Sequence, residues 1–479
     1  MIKKVSEWFL NPTWFKLLYF ILVLLSFNSI FALTEALTVF SYFVAVLGAA
    51  VFLFRLVHFK RYTHTRGIFI LILFCGSYCL SALFTRAYGL SENIQAMVWI
   101  VIQFFIVYTY DNNQPIEKDK KEISFIGCFF VVYTFVMAAV SIGMLLADYS
   151  NYREVADTSV IMGFLWNRLW GLYSDPNYGA VFAIISIIMS CAFMKGAQKG
   201  IKAFLIVNCV LEVIYISFSD SRTGMVALLV TIAAAVYLLT LRAKRFAGKK
   251  TVVRGAISVA LALITALCGI GVLKAVKISG NTVKEWQYEQ KVQNGETVNT
   301  DVLDSFIGRT DSDMNDDVSN RRFAIWQSGL EIFKTSPIFG ITFRNYIPYA
   351  EDKLPETYIV NNDMTKFPSM HNSFVDVLVS QGIVGILLLI WFIASVLTVF
   401  FRYFFKKTGE EYQYNTFLLL CFLPVLVSML FYSETFYMNT GGAFLFWSFL
   451  GYLMHSLNRE HALLPFEKRK DNCKWQKSV

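Results

Sequence analysis

The chain has 479 residues, of which 56% are hydrophobic and 16% charged, with a mean hydropathy of +0.51 and a formal net charge of +9. Soluble globular domains carry about 25% charged residues, so this composition excludes an ordinary soluble enzyme and indicates a polytopic membrane protein. The basic residues are scattered among short loops, with no basic domain to form a groove, and we therefore expect no nucleic-acid partner.

Apolar runs long enough to cross a bilayer recur along the chain and predict about twelve transmembrane helices. Their approximate positions are 14–34, 36–54, 67–85, 92–110, 122–147, 178–194, 202–219, 223–241, 255–278, 374–401, 414–432 and 440–457. The predicted fold is all-α. Residues 1–277 would carry helices one to nine, residues 278–372 a large loop, residues 373–458 helices ten to twelve, and residues 459–479 a basic tail.

Lysine and arginine are concentrated in every second short loop, which predicts the orientation of the chain, because cytoplasmic loops carry the excess of these residues. The rich set includes Arg55 to Arg66, Lys118 to Lys121, Arg242 to Arg254 and the tail, whereas the other short loops hold only Arg86, Arg153, Arg168 and Arg222. This bias predicts that both termini are cytoplasmic. The loops that begin near Asp148, Asp220 and Gly280 would then lie on the outer face.

The large outer loop, residues 278–372, begins with an acidic polar stretch and ends in a more ordered part. Ser319 or Asn320 could cap a following helix. In that helix Phe323, Trp326, Leu330 and Phe333 recur at the three-to-four spacing of one amphipathic face. We expect this helix to lie along the membrane interface or to pack on the outer ends of the bundle.

The predicted topology leaves His371 as the one histidine on the outer face, at the point where the loop re-enters the membrane. A lone histidine at a helix start is more often a capping or interfacial residue than a catalytic one. Arg222 and the pair Arg321/Arg322 fall on the same face, however. Guanidinium groups bind phosphate oxygens two at a time, so these residues favour a diphosphate substrate whose acceptor hydroxyl must lose a proton.

Several further polar residues could line or orient such a site. Arg168 and Asn177 belong to RLWGLYSDPNYG, where Asp175-Pro176-Asn177 is already explained as a turn that begins a helix. Glu212 is an ionisable group in an apolar run, eight residues before Asp220, and the two could hold Arg222 in place. Asp376 could orient the imidazole of His371, or could only satisfy a neighbouring helix.

Motifs for a bound metal or nucleotide are missing from the chain: it has no glycine-rich phosphate loop followed by Lys-Ser/Thr, and no H-E-x-x-H. The carboxylates of the outer loop, such as Asp311, Asp313, Asp316 and Asp317, are the only conceivable cation site, and their spacing lacks the EF-hand pattern. We therefore predict neither a metal nor a cofactor, and expect the substrate itself to supply the energy of the reaction.

Three segments in order, SDSRTGMVALL, RFAIWQSGLEIFKTSPIFGI and MHNSFVDVLVSQGIVGILLL, resemble the O-antigen ligase and Wzy-type O-antigen polymerase superfamily of bacterial envelope proteins. RLWGLYSDPNYGAVFA is similar to an upstream element of that superfamily, so the resemblance covers roughly residues 165–400. It implies a metal-independent inverting glycosyltransferase of GT-C-like fold in the bacterial inner membrane. Its donor would be an undecaprenyl-diphosphate-linked oligosaccharide.

The resemblance also implies roles for individual residues. Arg222 on a short outer loop and Arg322 on the long loop would bind the donor diphosphate, with Arg321 as a near second, because Arg322 keeps the R-x-x-x-W spacing to Trp326. The family histidine, on which the acceptor hydroxyl is activated, falls on His371. A chain-length regulator protein is a possible partner.

Shared motifs do not separate a polymerase, which joins lipid-linked repeat units into a capsule, exopolysaccharide or O-antigen, from a ligase, which transfers the glycan to a lipid A core or another acceptor. We favour the polymerase because such enzymes are the more varied members. A transporter or flippase is a different class with a similar number of helices. It usually shows two repeated halves, and we find no internal duplication in this sequence. A structural or sensory membrane protein is the third possibility.

Overall fold

The computed structural model describes residues 7–155, 158–246, 248, 250–294, 321–362 and 366–458. Most of them are helical. The helices are α1 (Thr13–Ser26), α2 (Glu35–Val57), α3 (Ile68–Phe84), α4 (Leu90–Ile102), α5 (Ile116–Leu146), α6 (Pro176–Phe193), α7 (Lys199–Ser219), α8 (Arg222–Leu241), α9 (Thr251–Gln293), α10 (Arg322–Thr335), α11 (Tyr346–Lys353), α12 (Ser373–Tyr403), α13 (Gly409–Ser428) and α14 (Gly441–Asn458). A π-helical turn, Gln103–Val107, continues α4, and 3-10 turns lie at Phe59–Arg61, Lys244–Phe246, Phe343–Asn345 and Phe404–Lys406.

Each of the predicted apolar runs coincides with one of these helices. In the described part of the chain, eight helices are long and apolar enough to cross a membrane: α2, α4 with its π turn, α5 to α9, and α12. The protein is thus a polytopic membrane protein built from helices, as the sequence predicts. The count of twelve spans stays a prediction, because α1 and α3 are shorter apolar helices, and α13 and α14 are long enough but are not among the helices that are also sufficiently apolar.

Helix α14 forms the centre of the bundle. Its residues from Gly441 to Leu457 are buried on every side, which is why it is apolar all round. The Trp447 indole is fully buried and donates a hydrogen bond to the carbonyl oxygen of Thr435 at 2.7 Å. This contact fixes the loop between α13 and α14, which lines the site described below.

A small antiparallel sheet, which the sequence analysis did not predict, lies between α5 and α6. Its strands are β1 (Ser150–Val155), β2 (Thr158–Leu165) and β3 (Arg168–Gly171), paired in the order β1-β2-β3. In β3 the burial alternates, so that Leu169 is buried and Arg168 is half-buried. The strand therefore directs Arg168 away from the core. The predicted helix start at Asp175 is observed, and the Asp175 carboxylate accepts a hydrogen bond from Asn177 N at 2.7 Å.

Helix α9 continues past residue 277, where we placed the end of the ninth span, and reaches Gln293. The extra 16 residues add about 24 Å of helix at 1.5 Å per residue. Two ion pairs hold this end of α9 to the outer loops: one between Lys277, just before the extension, and Asp220 at 3.0 Å, and one between Lys284 and Asp148. The acidic stretch that follows, with its four aspartates and the predicted caps Ser319 and Asn320, lies outside the described residues.

The amphipathic helix of the large loop is α10, but its buried face differs from the predicted one. Ile325, Ser328, Gly329 and Ile332 are buried, whereas Phe323 is 67% exposed. Gly329 explains the difference: a Cβ there would lie 3.1 to 3.3 Å from Met370, Val375 and Val379. Small residues therefore let α10 approach α12 closely, and the larger aromatic side chain faces outward, as expected of an interfacial helix.

Helix α12 is interrupted at Gly382, which has φ +61° and ψ −155°. The backbone of the loop after α10 fills the break. Ile383 N donates to the Pro337 carbonyl oxygen at 2.8 Å, and Thr342 N donates to the Ser380 carbonyl oxygen at 2.9 Å. Gly340, with φ +67°, lies against the same backbone, where a Cβ would come within 2.4 Å of the Ser380 carbonyl carbon. The two glycines thus permit two backbones to cross in contact.

Candidate functional site

Arg222 and Arg322, about one hundred positions apart in the sequence, line one cavity of about 250 Å³ together with Trp326 and Phe431. Arg222 is the first residue of α8, whose N-cap Ser221 accepts a hydrogen bond from Gly224 N at 2.9 Å. Arg322 is the first residue of α10. Two helix starts therefore present guanidinium groups to the same space. This arrangement places positive side chains and the positive ends of two helix dipoles around one cavity.

Contacts from the loop before α14 hold Arg322 in place. Its Nε donates to the Phe431 carbonyl oxygen at 3.3 Å, and its guanidinium carbon lies 5.8 Å from the centroid of the Phe431 ring. Burial lowers the pKa of Arg322, and the neighbouring charge of Arg222 lowers it further. Arginine remains charged even so, and the two like charges would be stabilised by an anion bound between them.

His371 lies beside this cavity in a left-handed backbone conformation, with φ +49°. Its ring contacts the rings of Phe367 and Tyr432, with centroid distances of 5.9 and 5.7 Å. The preceding residue is fixed from two sides: the Trp326 indole donates to the Met370 carbonyl oxygen at 3.0 Å, and Met370 N donates to Asp376 Oδ1 at 2.9 Å. Trp326 thus links the arginine cavity to the histidine.

Burial lowers the pKa of His371 from 6.5 to about 4, and the positive charge of Arg322 adds to the effect. The imidazole is therefore neutral near pH 7 and has a free lone pair on one ring nitrogen. In the described part of the chain neither ring nitrogen makes a hydrogen bond to protein. A neutral, partly buried imidazole near the Arg322 guanidinium can accept a proton once a donor group is bound.

Asn177 connects Arg168, its neighbour in the predicted RLWGLYSDPNYG cluster, to the residues around Arg222 and His371. Its Oδ1 accepts hydrogen bonds from Arg168 Nη2 at 3.2 Å and from Ser221 Oγ at 2.7 Å, and its Nδ2 donates to the Tyr432 hydroxyl at 3.3 Å. The Tyr432 hydroxyl in turn donates to the Asp175 carboxylate. Burial raises the pKa of Asp175, and the charge of Arg168 opposes this change. One amide therefore ties the helix start that carries Arg222 to the aromatic residue against His371.

Other residues selected from the sequence lie apart from this group or act differently. Glu212 is fully buried within α7, and Asp220 pairs with Lys277 at 3.0 Å. The support of Arg222 by these two carboxylates stays a prediction. The Asp376 carboxylate binds Met370 N and the Ser433 hydroxyl, so it positions the backbone before His371 and does not contact the ring. Arg321 is exposed in a left-handed conformation at the start of α10.

Sequence reasoning missed Phe431 and Tyr432. They belong to FYSETFYMNT, the segment between α13 and α14, which contains no recognisable motif. A signal was present, since this segment is polar and aromatic between two apolar runs and falls on the predicted outer face. Nothing in the spacing indicated that its first two residues would face Arg322 and His371.

A model of the family described as O-Antigen ligase matches residues 207–390, a range that contains Arg222, Arg322 and His371. Residues 207–390 are thus similar to this family, which confirms the resemblance predicted from the sequence motifs. An uncharacterized protein of Haemophilus influenzae is 24% identical over 283 residues, which are 58% of this chain and 63% of that relative. The match thus spans less than two thirds of the relative's length. The similarity supports a ligase- or polymerase-type function for the matched region.

Proposed function

We propose that this protein is a polymerase that joins undecaprenyl-diphosphate-linked oligosaccharide repeat units into a surface polysaccharide. The reaction would take place on the outer face of the cytoplasmic membrane, with both termini of the chain in the cytoplasm. The observation that carries the proposal is the convergence of Arg222 and Arg322 in one cavity beside the neutral imidazole of His371.

Each of these residues has a role in the proposed reaction. Arg222 and Arg322 bind the donor diphosphate through charge-assisted, bidentate hydrogen bonds, which neutralise charge that develops on the leaving group. His371 accepts the proton of the acceptor hydroxyl, whose oxygen forms a bond to the anomeric carbon. The bond between that carbon and the phosphate oxygen breaks, and the lipid diphosphate leaves. A single in-line displacement inverts the anomeric centre without a metal ion.

The neighbouring polar residues are positioning residues in this mechanism. Asn177 holds Ser221, and hence the start of α8, at a fixed distance from Tyr432. Tyr432 supports the His371 ring by an edge contact at 5.7 Å. Arg168 keeps its guanidinium on Asn177 and on the Ser219 carbonyl oxygen, 3.0 Å away. These contacts preorganise the two arginines and the histidine before the substrate binds.

A deletion strain complemented with wild type, Arg322→Gln or Arg86→Gln tests the proposal. Arg86 is exposed and lies outside the cavity, so it is a matched control. Gel profiles should show full-length polymer for wild type and for Arg86→Gln, and single repeat units for Arg322→Gln. Loss of all attached glycan in the Arg322→Gln strain would identify a ligase instead. Unchanged polymer would refute the role of the arginine pair, and a transporter or flippase would then be the better assignment.

A further inference from the structure

A second cavity, of about 510 Å³, lies between α2, α3 and α4. None of the residues that line it also lines the arginine cavity. Its lining is apolar except near one end. The lining residues on α4 run from Leu90 to Ile102, so the cavity extends about 18 Å along that helix, from its outer end toward the middle of the membrane. A cavity of this size and composition fits a hydrocarbon chain. We call it the α3–α4 groove.

The polar end of the α3–α4 groove is formed by Tyr78 and Asn93. The Tyr78 hydroxyl donates to Asn93 Oδ1 at 2.6 Å, and Asn93 Nδ2 donates to Asn345 Oδ1 at 2.9 Å. Arg344, next to Asn345, is exposed, and its backbone N lies 3.4 Å from Asn93 Oδ1. Desolvation lowers the pKa of Arg344, and the nearby Tyr78 and Glu92 oppose this change. An arginine therefore stands at the outer mouth of an apolar groove.

The charge of Arg344 has no ion-pair partner within 4 Å among the residues that the structure describes. Its guanidinium carbon lies 5.6 Å from the centroid of the Phe343 ring. The Glu92 carboxylate, on the adjoining start of α4, accepts a hydrogen bond from Ser91 Oγ at 2.7 Å. The guanidinium donors are thus available to an anion that arrives from the membrane.

The segment that carries Arg344 is also connected to the histidine. The Tyr346 hydroxyl donates to the Asp376 carbonyl oxygen at 2.9 Å, and the Asp376 carboxylate accepts from Met370 N, next to His371. The Phe343 ring stacks on Tyr437, in the same loop as Tyr432, with 5.4 Å between the ring centroids. A ligand bound at Arg344 would therefore contact a segment that is bonded to the residues beside His371 and to the loop that carries Tyr432.

We propose that Arg344 and the α3–α4 groove form a second lipid-phosphate site, which holds the prenyl-phosphate anchor of the acceptor substrate. The phosphate binds the Arg344 guanidinium, and the prenyl chain lies along α4 in the groove. This inference rests on the proposed function, because a reaction between two lipid-linked glycans needs two lipid phosphates at the same membrane face. Arg222 and Arg322 bind the diphosphate of the donor lipid. The positive charge of Arg344 and the apolar groove beside it fit the phosphate and prenyl chain of the acceptor lipid.

Native mass spectrometry of the full chain in phosphatidylcholine nanodiscs, with added undecaprenyl phosphate, tests the site. Wild type should bind two molecules of this probe. Arg344→Gln, and separately Ile94→Trp, should each retain only one. Ile94 lines the groove and is 57% exposed, so tryptophan there fills the groove without disturbing the core. Leu387→Trp is the control, since Leu387 is 60% exposed on α12 and does not line the groove.

Two molecules of undecaprenyl phosphate bound to both groove variants would overturn the site, as would equal displacement of the probe by phosphatidylglycerol. The latter would identify an ordinary anionic lipid as the occupant. Arg322→Gln should lose the other bound molecule and keep the one at Arg344. The binding assay fails or succeeds independently of polymer length in cells, so failure of this site and failure of the proposed polymerase activity give different results.

Discussion

Replacement of His371 by asparagine tests the proposed base without disturbing the backbone. His371 has φ +49°, a left-handed conformation that asparagine tolerates well, whereas alanine is strained there. The ring nitrogens of His371 have no hydrogen bond to lose in the described structure, so the fold should change in stability by less than about 1 kcal/mol. Activity should respond far more strongly than stability.

General-base catalysis contributes about 10²- to 10⁴-fold to a rate, which corresponds to about 3 to 5 kcal/mol of barrier at 1.36 kcal/mol per tenfold. With purified protein and a lipid-linked repeat unit, the rate constant kcat of His371→Asn should fall by this factor. The dissociation constant of the donor should change little, because the arginines are intact. Wild-type activity should not decrease between pH 7 and pH 5.5. Because the pKa of His371 in the protein without substrate is about 4, the imidazole stays neutral over this range.

The assay has an internal control in His58→Asn. His58 lies at the C-terminal end of α2, where its Nδ1 is 2.9 Å from the Phe54 carbonyl oxygen, and it is not part of the site. This variant should keep wild-type activity. If His371→Asn retained more than about a tenth of wild-type kcat, while the Arg322→Gln enzyme was inactive, the proton would have to go to another acceptor. The role of His371 would then be limited to packing.

Three further outcomes are expected. Gly382→Ala should lower the free energy of unfolding by about 2 to 5 kcal/mol, because its left-handed φ and a carbonyl oxygen 2.4 Å from the new Cβ oppose the side chain. Gly76→Ala, with nothing within 4 Å, should instead be neutral or stabilising by up to about 1 kcal/mol, and thermal unfolding in detergent would show whether the two differ. Tyr432→Phe leaves the half-buried Asp175 without its hydroxyl donor and should cost about 1 to 3 kcal/mol, together with a lower kcat; unchanged values of both would contradict the supporting network. The pKa of His371 is lower in the folded state than in the unfolded state, so the free energy of unfolding of wild type should fall by up to about 3 kcal/mol as the pH falls from 6.5 to 4. His371→Asn should lack this part of the loss when both proteins are unfolded at the two pH values.

The helices were predictable because a membrane-crossing helix requires about 20 consecutive apolar residues, and such a run can be recognised from the sequence without knowledge of tertiary contacts. The convergence of Arg222 and Arg322 agrees with the topology read from lysine and arginine in the loops, because both fall on one predicted face. The hydrogen bonds of Asn177 to Arg168 and Ser221 agree with the selection of RLWGLYSDPNYG as a second cluster.

Features that depend on contacts between distant segments could not be predicted. Strand β2, Thr158–Leu165, has an apolar sequence that suits a strand or a buried helix equally, and only its pairing with β1 and β3 decides between them. The buried face of α10 is selected by Gly329, a residue that a count of apolar positions ignores. Tyr432 reaches His371 through the fold of an irregular loop, which has no periodicity to read.

The crossing of backbones at Gly340 and Gly382 has a mechanical consequence. At Gly382 the hydrogen bonds along α12 are replaced by bonds to the loop after α10. The short part of α12 before Gly382, which follows His371, is therefore not a rigid extension of the longer inner half after it. A thicker or thinner bilayer tilts a spanning helix to match its apolar length. Such tilting of the inner half would be absorbed at Gly382, and the imidazole above it would keep its position while the surrounding lipid changes.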